Sequence, residues 1–467
     1  MKYHNPIITG FHPDPSVCRV GNDFYLVNSS FEYFPGIPIY HSTDLTHWEQ
    51  IGHVLDRKNQ LKLVSGAPNC LGIYAPTIRY HEGIFYCIVT NVGVRSGGNF
   101  FVYTTDPYGR WSNPVKLPFA GIDPSLFFDE DGRIYYTGTD TGIYIAEITF
   151  DVVRNDTPKR NELPVSIQNV KCGEKHYIWN GSGGNNPEGP HLYRIHDMYY
   201  LMIAEGGTEY CHMVTIARSK NVYGPYEACP HNPVLSNRST CLNIKAIGHA
   251  DLVEDSQGSW WAVCLGIRPL GYPFRHNLGR ETMLAPVKWE NGWPVMGDNG
   301  TVTETFEVET APGKKTRKSD FYIPGSNMTD TFCSNKLHPS WNTIYTPVSK
   351  FVKPTKQGLS LCAYDTTLSD DKPKAILVRR QEHFHFTATA TLTLESVNAG
   401  SEAGITIYMN NRHHYEAALS TVGNGEYFLI LRRRIGSLQA VEARIPFHCN
   451  TVQFILTGDK NHYTFSY

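Results

Sequence analysis

Over roughly the first 310 residues, apolar and aromatic side chains come in short bursts separated by polar turns rich in glycine and proline. The bursts include Phe24-Tyr25-Leu26-Val27, Ile84-Phe85-Tyr86-Cys87-Ile88-Val89, Ile134-Tyr135-Tyr136, Met198-Tyr199-Tyr200-Leu201-Met202 and Trp260-Trp261-Ala262-Val263. Runs this short, rich in aromatic and β-branched residues, predict strands, and no long amphipathic helical pattern interrupts them. Measured from Tyr25, Tyr86, Tyr136, Tyr200 and Trp261, the intervals are 61, 50, 64 and 61 residues. Each interval has room for about four short strands and their turns. Five such units predict a five-bladed β-propeller.

Within the units, Ile39–Trp48, Phe101–Trp111 and Thr215–Tyr226 each read as a short β run, a polar turn and an aromatic ring. These rings, Trp48 and Trp111 among them, are expected to anchor hairpins by packing rather than to bind ligand. The polar, basic stretch Thr310–Asp320 marks the best boundary, giving a propeller over 1–310, a linker over 311–320 and a second domain over 321–467. An exposed linker explains its charge better than nucleic-acid binding does. Beyond it, alternating runs such as Gly404-Ile405-Thr406-Ile407-Tyr408 and Glu426-Tyr427-Phe428-Leu429-Ile430-Leu431 predict a β-sandwich. The final Asn461–Tyr467 alternates like a strand, so the sandwich is expected to be shortened, with an apolar face or sheet edge left uncovered.

A polar marker precedes the burst in four of the five units, by 11 to 13 residues: Asp14 before Tyr25, Asp123 before Tyr136, Glu188 before Tyr200 and His249 before Trp261. The second unit offers Tyr74 at the matching offset before Tyr86. In a propeller the innermost strands line a central channel, so these positions should converge at one mouth. Three carboxylates from different blades exceed what a packed core needs, because each buried charge requires compensation. Glycosidic cleavage uses such a set, one group protonating the leaving oxygen and another activating water or attacking the anomeric carbon. Pro13, Pro15 and Pro124 restrict the backbone beside Asp14 and Asp123, which suits tight turns as well as catalysis. Repulsion within the set would raise one carboxyl's pKa, and Glu188, between Pro187 and Gly189-Pro190, suits that part. Spacing alone leaves the assignment of roles open.

His249 fits either a satisfied core histidine or a channel residue bonded to a carboxylate or water. Arg280 fits either a substrate or carboxylate contact or a simple pair with Glu281. Phe31 and Tyr74 are candidates to cover an apolar sugar face, with ordinary packing as the alternative. The histidines show no H-E-x-x-H arrangement, so no compact metal set is indicated.

The formal charge of −2 gives no reason to expect nucleic acid or an acidic membrane as partner. Neither a secretory h-region nor a run of 18 apolar residues occurs, so a cytoplasmic location is expected if residue 1 is the natural start. Eleven scattered cysteines without a C-x-x-C pair are expected to be buried thiols in a reducing compartment rather than a disulfide framework.

The motifs together resemble glycoside hydrolase family 43, particularly its two-domain β-xylosidases. The resemblance rests on Asn5–Ser16, Phe31–Gly36, Ile122–Phe128, Glu188–Tyr193, Gly248–Asp251 and Leu278–Thr282, in that order along the propeller. It implies hydrolysis by single displacement with inversion, Asp14 being the general base, Glu188 the general acid and Asp123 the residue that orients the acid and tunes its pKa. It further implies His249 on the pocket floor and Arg280 against substrate or the carboxylates. The implied substrates are xylo-oligosaccharides cleaved exo-fashion at terminal β-1,4-linked xylose, or arabinose-substituted oligosaccharides if the chain is instead an α-L-arabinofuranosidase. No cofactor is required; some relatives hold a calcium ion or water near the equivalent histidine, and relatives often form homo-oligomers. Tyr74 stands where many xylosidase relatives have tryptophan. A non-catalytic carbohydrate-binding protein and a retaining propeller hydrolase are the competing expectations.

Overall fold

The computed structural model describes residues 2–64, 70–93, 98–308, 321–334, 336–356, 358–395 and 398–467. The expected linker at 311–320 lies outside the described residues.

Five antiparallel sheets follow one another along the chain, with innermost strands Ser16–Val20, Thr77–His81, Ile122–Phe128, Glu188–Ile195 and Lys245–Glu254. Each of these pairs with the burst recognised in the sequence, namely Asp23–Val27, Ile84–Val92, Ile134–Thr139, Met198–Glu205 and Trp260–Ile267. Neighbouring innermost strands touch in turn and the fifth touches the first, which closes the ring. The five-bladed propeller is therefore present.

Alternation along a strand explains why the bursts are apolar throughout. In the first blade Phe24 and Leu26 enter the core shared with the fifth blade, while Tyr25 and Val27 enter the core shared with the second. Phe85, Cys87 and Val89 likewise face back to the first blade, and Ile84, Tyr86 and Ile88 face on to the third. A sheet covered on both faces needs apolar residues at odd and even positions alike. Each fully buried ring, Phe101 for example, contributes roughly 1.5–3 kcal/mol of burial. Trp48 and Trp111 are almost completely buried, as hairpin anchors should be, and Trp48 donates from Nε1 to the Leu45 carbonyl at 2.8 Å.

The ring is fastened end to end: Lys2–His4 pairs with Thr305–Glu307, and Ile8 bridges to Thr282 in the fifth blade. The first compact unit also takes in 321–360 and 376–382, beyond the stretch that reads as propeller. Thr343-Ile344 pairs with Tyr33-Phe34, and Arg380 donates to the Phe11 carbonyl at 2.7 Å. The first is a two-residue backbone pairing and the second a single side-chain bond, and neither has a periodic apolar signature.

The second unit, 361–375 with 383–467, contains two antiparallel sheets. One comprises Phe386–Thr393, Thr451–Gly458 and Tyr463–Ser466; the other runs Glu402–Asn410, His413–Gly423, Glu426–Ile435 and Leu438–Phe447. Leu394, Leu419, Leu429, Val452 and Phe454 form its core, the packing of a β-sandwich. The outer strand Leu438–Phe447 exposes Leu438, Val441 and Ile445.

All cysteines are free. Cys18, Cys87, Cys229 and Cys264 are buried as expected, but Cys70, Cys211, Cys241, Cys333, Cys362 and Cys449 are exposed, a correction to the reading of the set as buried. The buried four sit in or against sheets, whereas the exposed six fall in turns and connections outside the named strands, where no apolar face draws them inward.

Candidate active site

The site is built at the starts of the innermost strands, where the chain departs from ideal pairing. Asp14, Asp123 and His249 adopt left-handed backbone with φ of 53°, 52° and 45°, and in the fourth blade the same conformation falls on Gly189 at 61°. The ladder shifts register between Ile122 and Ser125, between Glu188 and His191, and between Gly248 and Asp251. Such bulges bend a strand and redirect a side chain, and here they occur at the entry to the ring. Partners from neighbouring segments fix the turns. Asn28 Nδ2 donates to the His12 and Pro13 carbonyls at 3.0 and 2.9 Å, Thr77 Oγ1 to the Pro124 carbonyl at 2.9 Å, and Thr137 Oγ1 to the Pro190 carbonyl at 3.0 Å.

The three carboxylates occupy different electrostatic settings. Asp14 accepts from Arg280 Nη1 at 2.8 Å on one oxygen and from Ser29 Oγ at 2.5 Å on the other. Burial alone would raise its pKa, but the Arg280 guanidinium, His249 and the Ser29 hydroxyl together hold it below the ordinary value. Asp123 is pushed well above its ordinary range by burial and by the charges of Glu188 and Asp14, against the bond from the Gly189 N–H at 3.1 Å and the charge of Arg280. Glu188 is raised from 4.5 to about 7 by burial and by Asp14, Arg280 opposing. Asp14 is therefore biased toward the ionised form, while Asp123 and Glu188 are both shifted toward holding a proton.

Asp123, Glu188 and His249 each place a ligand-type atom within 4.8 Å of the other two. His249 is kept neutral chiefly by burial. Calcium takes six to eight oxygen ligands, and two carboxyls with one imidazole nitrogen do not by themselves make such a cage. These protein groups therefore do not fit a calcium ion held directly by them.

The aromatic candidates join the same cluster. The Arg280 guanidinium lies 5.6 Å from the Phe31 ring centre, and Phe31 meets Tyr74 edge-on at 5.6 Å. Tyr74 feels the charges of Asp123 and Asp14, and it is only partly buried, so its ring has a solvent-facing side. All seven candidates, Asp14, Phe31, Tyr74, Asp123, Glu188, His249 and Arg280, are thus linked by direct contact or by charge. Arg280 pairs with Asp14 rather than with its neighbour Glu281, which binds Arg268 through two bonds of 2.6 and 2.7 Å.

Three contributors escaped the sequence reading. Ser29 binds Asp14 from just beyond a core strand, with no periodic signal. Phe11 stacks on Phe31 at 5.6 Å. His212, almost wholly buried, brings Nε2 to 4.0 Å from Glu188 Oε1 and is held neutral, near pKa 3, by burial. It lies just before the third strand of the fourth blade, Met213–Ser219, outside any repeated offset.

A five-bladed propeller whose strand entries gather carboxyls of opposed protonation preference is the frame of a glycoside hydrolase. Residues 3–294 match the family model described as Glycosyl hydrolases family 43, and residues 329–467 match that of a Beta xylosidase C-terminal Concanavalin A-like domain. The chain belongs to glycosyl hydrolase family 43. It is 41% identical to a non-reducing end α-L-arabinofuranosidase of Bacteroides ovatus over 93% of its length and 78% of that protein's. It is 40% identical to a xylosidase/arabinosidase of Butyrivibrio fibrisolvens over 88% of its length and 79% of that protein's. Among solved structures, the Bacteroides ovatus xyloglucan PUL protein GH43B superposes with a TM-score of 0.86 at 38% identity, covering 100% of this chain and 89% of that one.

Proposed function

We propose that this chain is an exo-acting, inverting glycoside hydrolase that releases terminal β-1,4-linked xylose from the non-reducing ends of xylo-oligosaccharides. The observation behind this reading is the sorting of charge among the carboxyls: Asp14 is held ionised by Arg280 and Ser29, and Glu188 is held protonated to about pH 7. Asp14 serves as general base toward water and Glu188 as general acid toward the leaving oxygen. Burial and the charge of Asp14 keep Glu188 protonated, while Asp123 anchors the Gly189 N–H beside it. Inverting pairs stand about 6.5–9.5 Å apart to admit water. A retaining mechanism would need Asp123, close to Glu188, as an ionised nucleophile, and Asp123 is the carboxyl driven furthest toward protonation. Phe31 and Tyr74 would cover the sugar ring, while Arg280 and His249 would orient its hydroxyls.

A second reading, release of α-L-arabinofuranose through the same acid and base, is favoured by the names of the 41% and 40% identical relatives. Proton NMR of a xylobiose digest and of an arabinose-substituted xylo-oligosaccharide digest decides between them. Early α-xylose supports the first reading, early β-arabinose the second, and retained anomers overturn inversion. Saturable sugar binding without product would overturn hydrolysis and leave a binding protein.

A further inference from the structure

Just inside the carboxyl cluster lies a second set of polar side chains that the reaction proposed above does not use. Ser16 follows Asp14 by two residues, Ser125 follows Asp123 by two, His191 follows Glu188 by three and Asp251 follows His249 by two. Arg79 enters from the innermost strand of the remaining blade. Ser16, Ser125, His191 and Asp251 are all buried, and the Asp251 side chain has no exposed surface.

Contacts join all five blades through one ion pair. Arg79 donates from Nη1 to Asp251 Oδ2 at 2.7 Å and from Nη2 to Asp251 Oδ1 at 3.1 Å. Asp251 Oδ2 also accepts from Ser16 Oγ at 2.6 Å and from the Val17 N–H at 3.1 Å, and Oδ1 accepts from Tyr193 Oη at 2.6 Å. On the other side Arg79 Nη2 lies 3.0 Å from His191 Nδ1, which lies 3.2 Å from Ser125 Oγ. Each strand that presents a site residue is therefore tied to the Arg79–Asp251 pair within two or three residues of it.

A buried ion pair is a weak source of stability, since apolar residues of equal volume often do as well or better. What an apolar plug lacks is direction. The planar guanidinium and the carboxylate fix angles as well as distances, and every acceptor site on Asp251 is taken. We infer that the Arg79–Asp251 pair is a positioning hub, fixing the mutual placement of Asp14, Asp123 and Glu188 by gripping the strands that present them. The inference rests on the acid–base reading proposed above. The hub's residues act through those carboxyls and touch no substrate.

The test uses the full chain with Asp251→Asn, Ser16→Ala and Ser125→Ala, each checked by circular dichroism at the assay temperature. Asp251→Asn is expected to lower kcat about tenfold or more while KM changes little, because small displacements of reacting groups cost rate rather than affinity. Ser125→Ala frees the Asp123 strand and, because Asp123 and Glu188 interact, should move the basic limb of the pH–rate profile, whereas Ser16→Ala should leave that limb in place and lower kcat. Folded variants with wild-type kcat and unmoved limbs overturn the hub, as does a loss of activity that follows only the unfolded fraction. Should Asp251→Asn fail to fold, the two serine variants decide by the same criteria.

A second readout needs no turnover. Carboxyl carbon-13 NMR titration of the Asp123–Glu188 pair in wild type and Ser125→Ala should give shifted apparent pKa values, and identical titrations overturn the hub. A wild type that hydrolyses neither sugar sinks the reaction assignment, while this titration still decides the hub.

Discussion

The Gly189 N–H points at Asp123 Oδ2 from 3.1 Å, while a Cβ placed on Gly189 would lie 3.0 Å from Cε1 of His249. This residue thus separates the acid Glu188 from its neighbours at a spacing only glycine allows, in a left-handed conformation that side chains resist. Gly189→Ala is expected to cost about 1–3 kcal/mol of stability. It should also lower kcat about tenfold to a hundredfold by shifting Glu188 against Asp123. Thermal melts alongside steady-state kinetics check both, and a folded variant with unchanged kcat would refute the positional part.

The charge of Asp14 helps to raise Glu188. In Asp14→Asn the Glu188 carboxyl, which titrates at about 7 in wild type, should titrate at lower pH in a carboxyl carbon-13 NMR titration. The effect reaches stability as well. Folding raises Glu188 from 4.5 to about 7 and Asp123 well above 3.8, so between those values the native state binds more protons than the unfolded chain. Stability should therefore fall as pH rises through this window, and fall less steeply in Asp123→Asn. Urea melts at several pH values measure the slope, and parallel slopes would count against a raised pKa at Asp123.

Arg280 acts in the opposite sense. It lowers the pKa of both Asp14 and Glu188, so Arg280→Ala should move the acidic and the basic limbs upward together. Arg280→Lys, which keeps the charge without the planar fork, should move them less. Limbs that stay fixed in both variants would show that the 2.8 Å pair with Asp14 does not set its ionisation.

If Glu188 protonates the leaving oxygen, Glu188→Gln should depend steeply on the leaving group. Hydrolysis of xylobiose is expected to drop by about 10²–10⁴-fold. A nitrophenyl xyloside, whose leaving group needs no proton, should lose far less. Equal losses on the two substrates would assign the acid role elsewhere.

The repeat of marker and burst made the propeller legible in the sequence because strands covered on both faces must be apolar throughout, and Phe24–Val27 shows why, its alternate residues feeding two different cores. Asp14, Asp123 and His249 were found by offset because they share one left-handed turn; Glu188 sits one residue earlier than that turn, and the breadth of the offset absorbed the difference. What escaped notice lacked periodicity. Ser29 and His212 reach the carboxyls from positions without counterparts in other blades, and the return of 321–360 to the first unit rests on pairings such as Thr343-Ile344 with Tyr33-Phe34, too short to leave a pattern. Asp251 and Ser16 lay within the recognised motifs, yet their meaning appears only where the strands meet.

The fastening of the ring orders events during synthesis. Asp14 leaves the ribosome before the other carboxyls, but its partner Arg280 follows 266 residues later, after all of them and before the closing strand Thr305–Glu307. At ~5–20 residues per second that interval is on the order of tens of seconds. By its end the nascent chain holds every acid of the site and no working site, so hydrolytic competence arrives in one step, with the last blade.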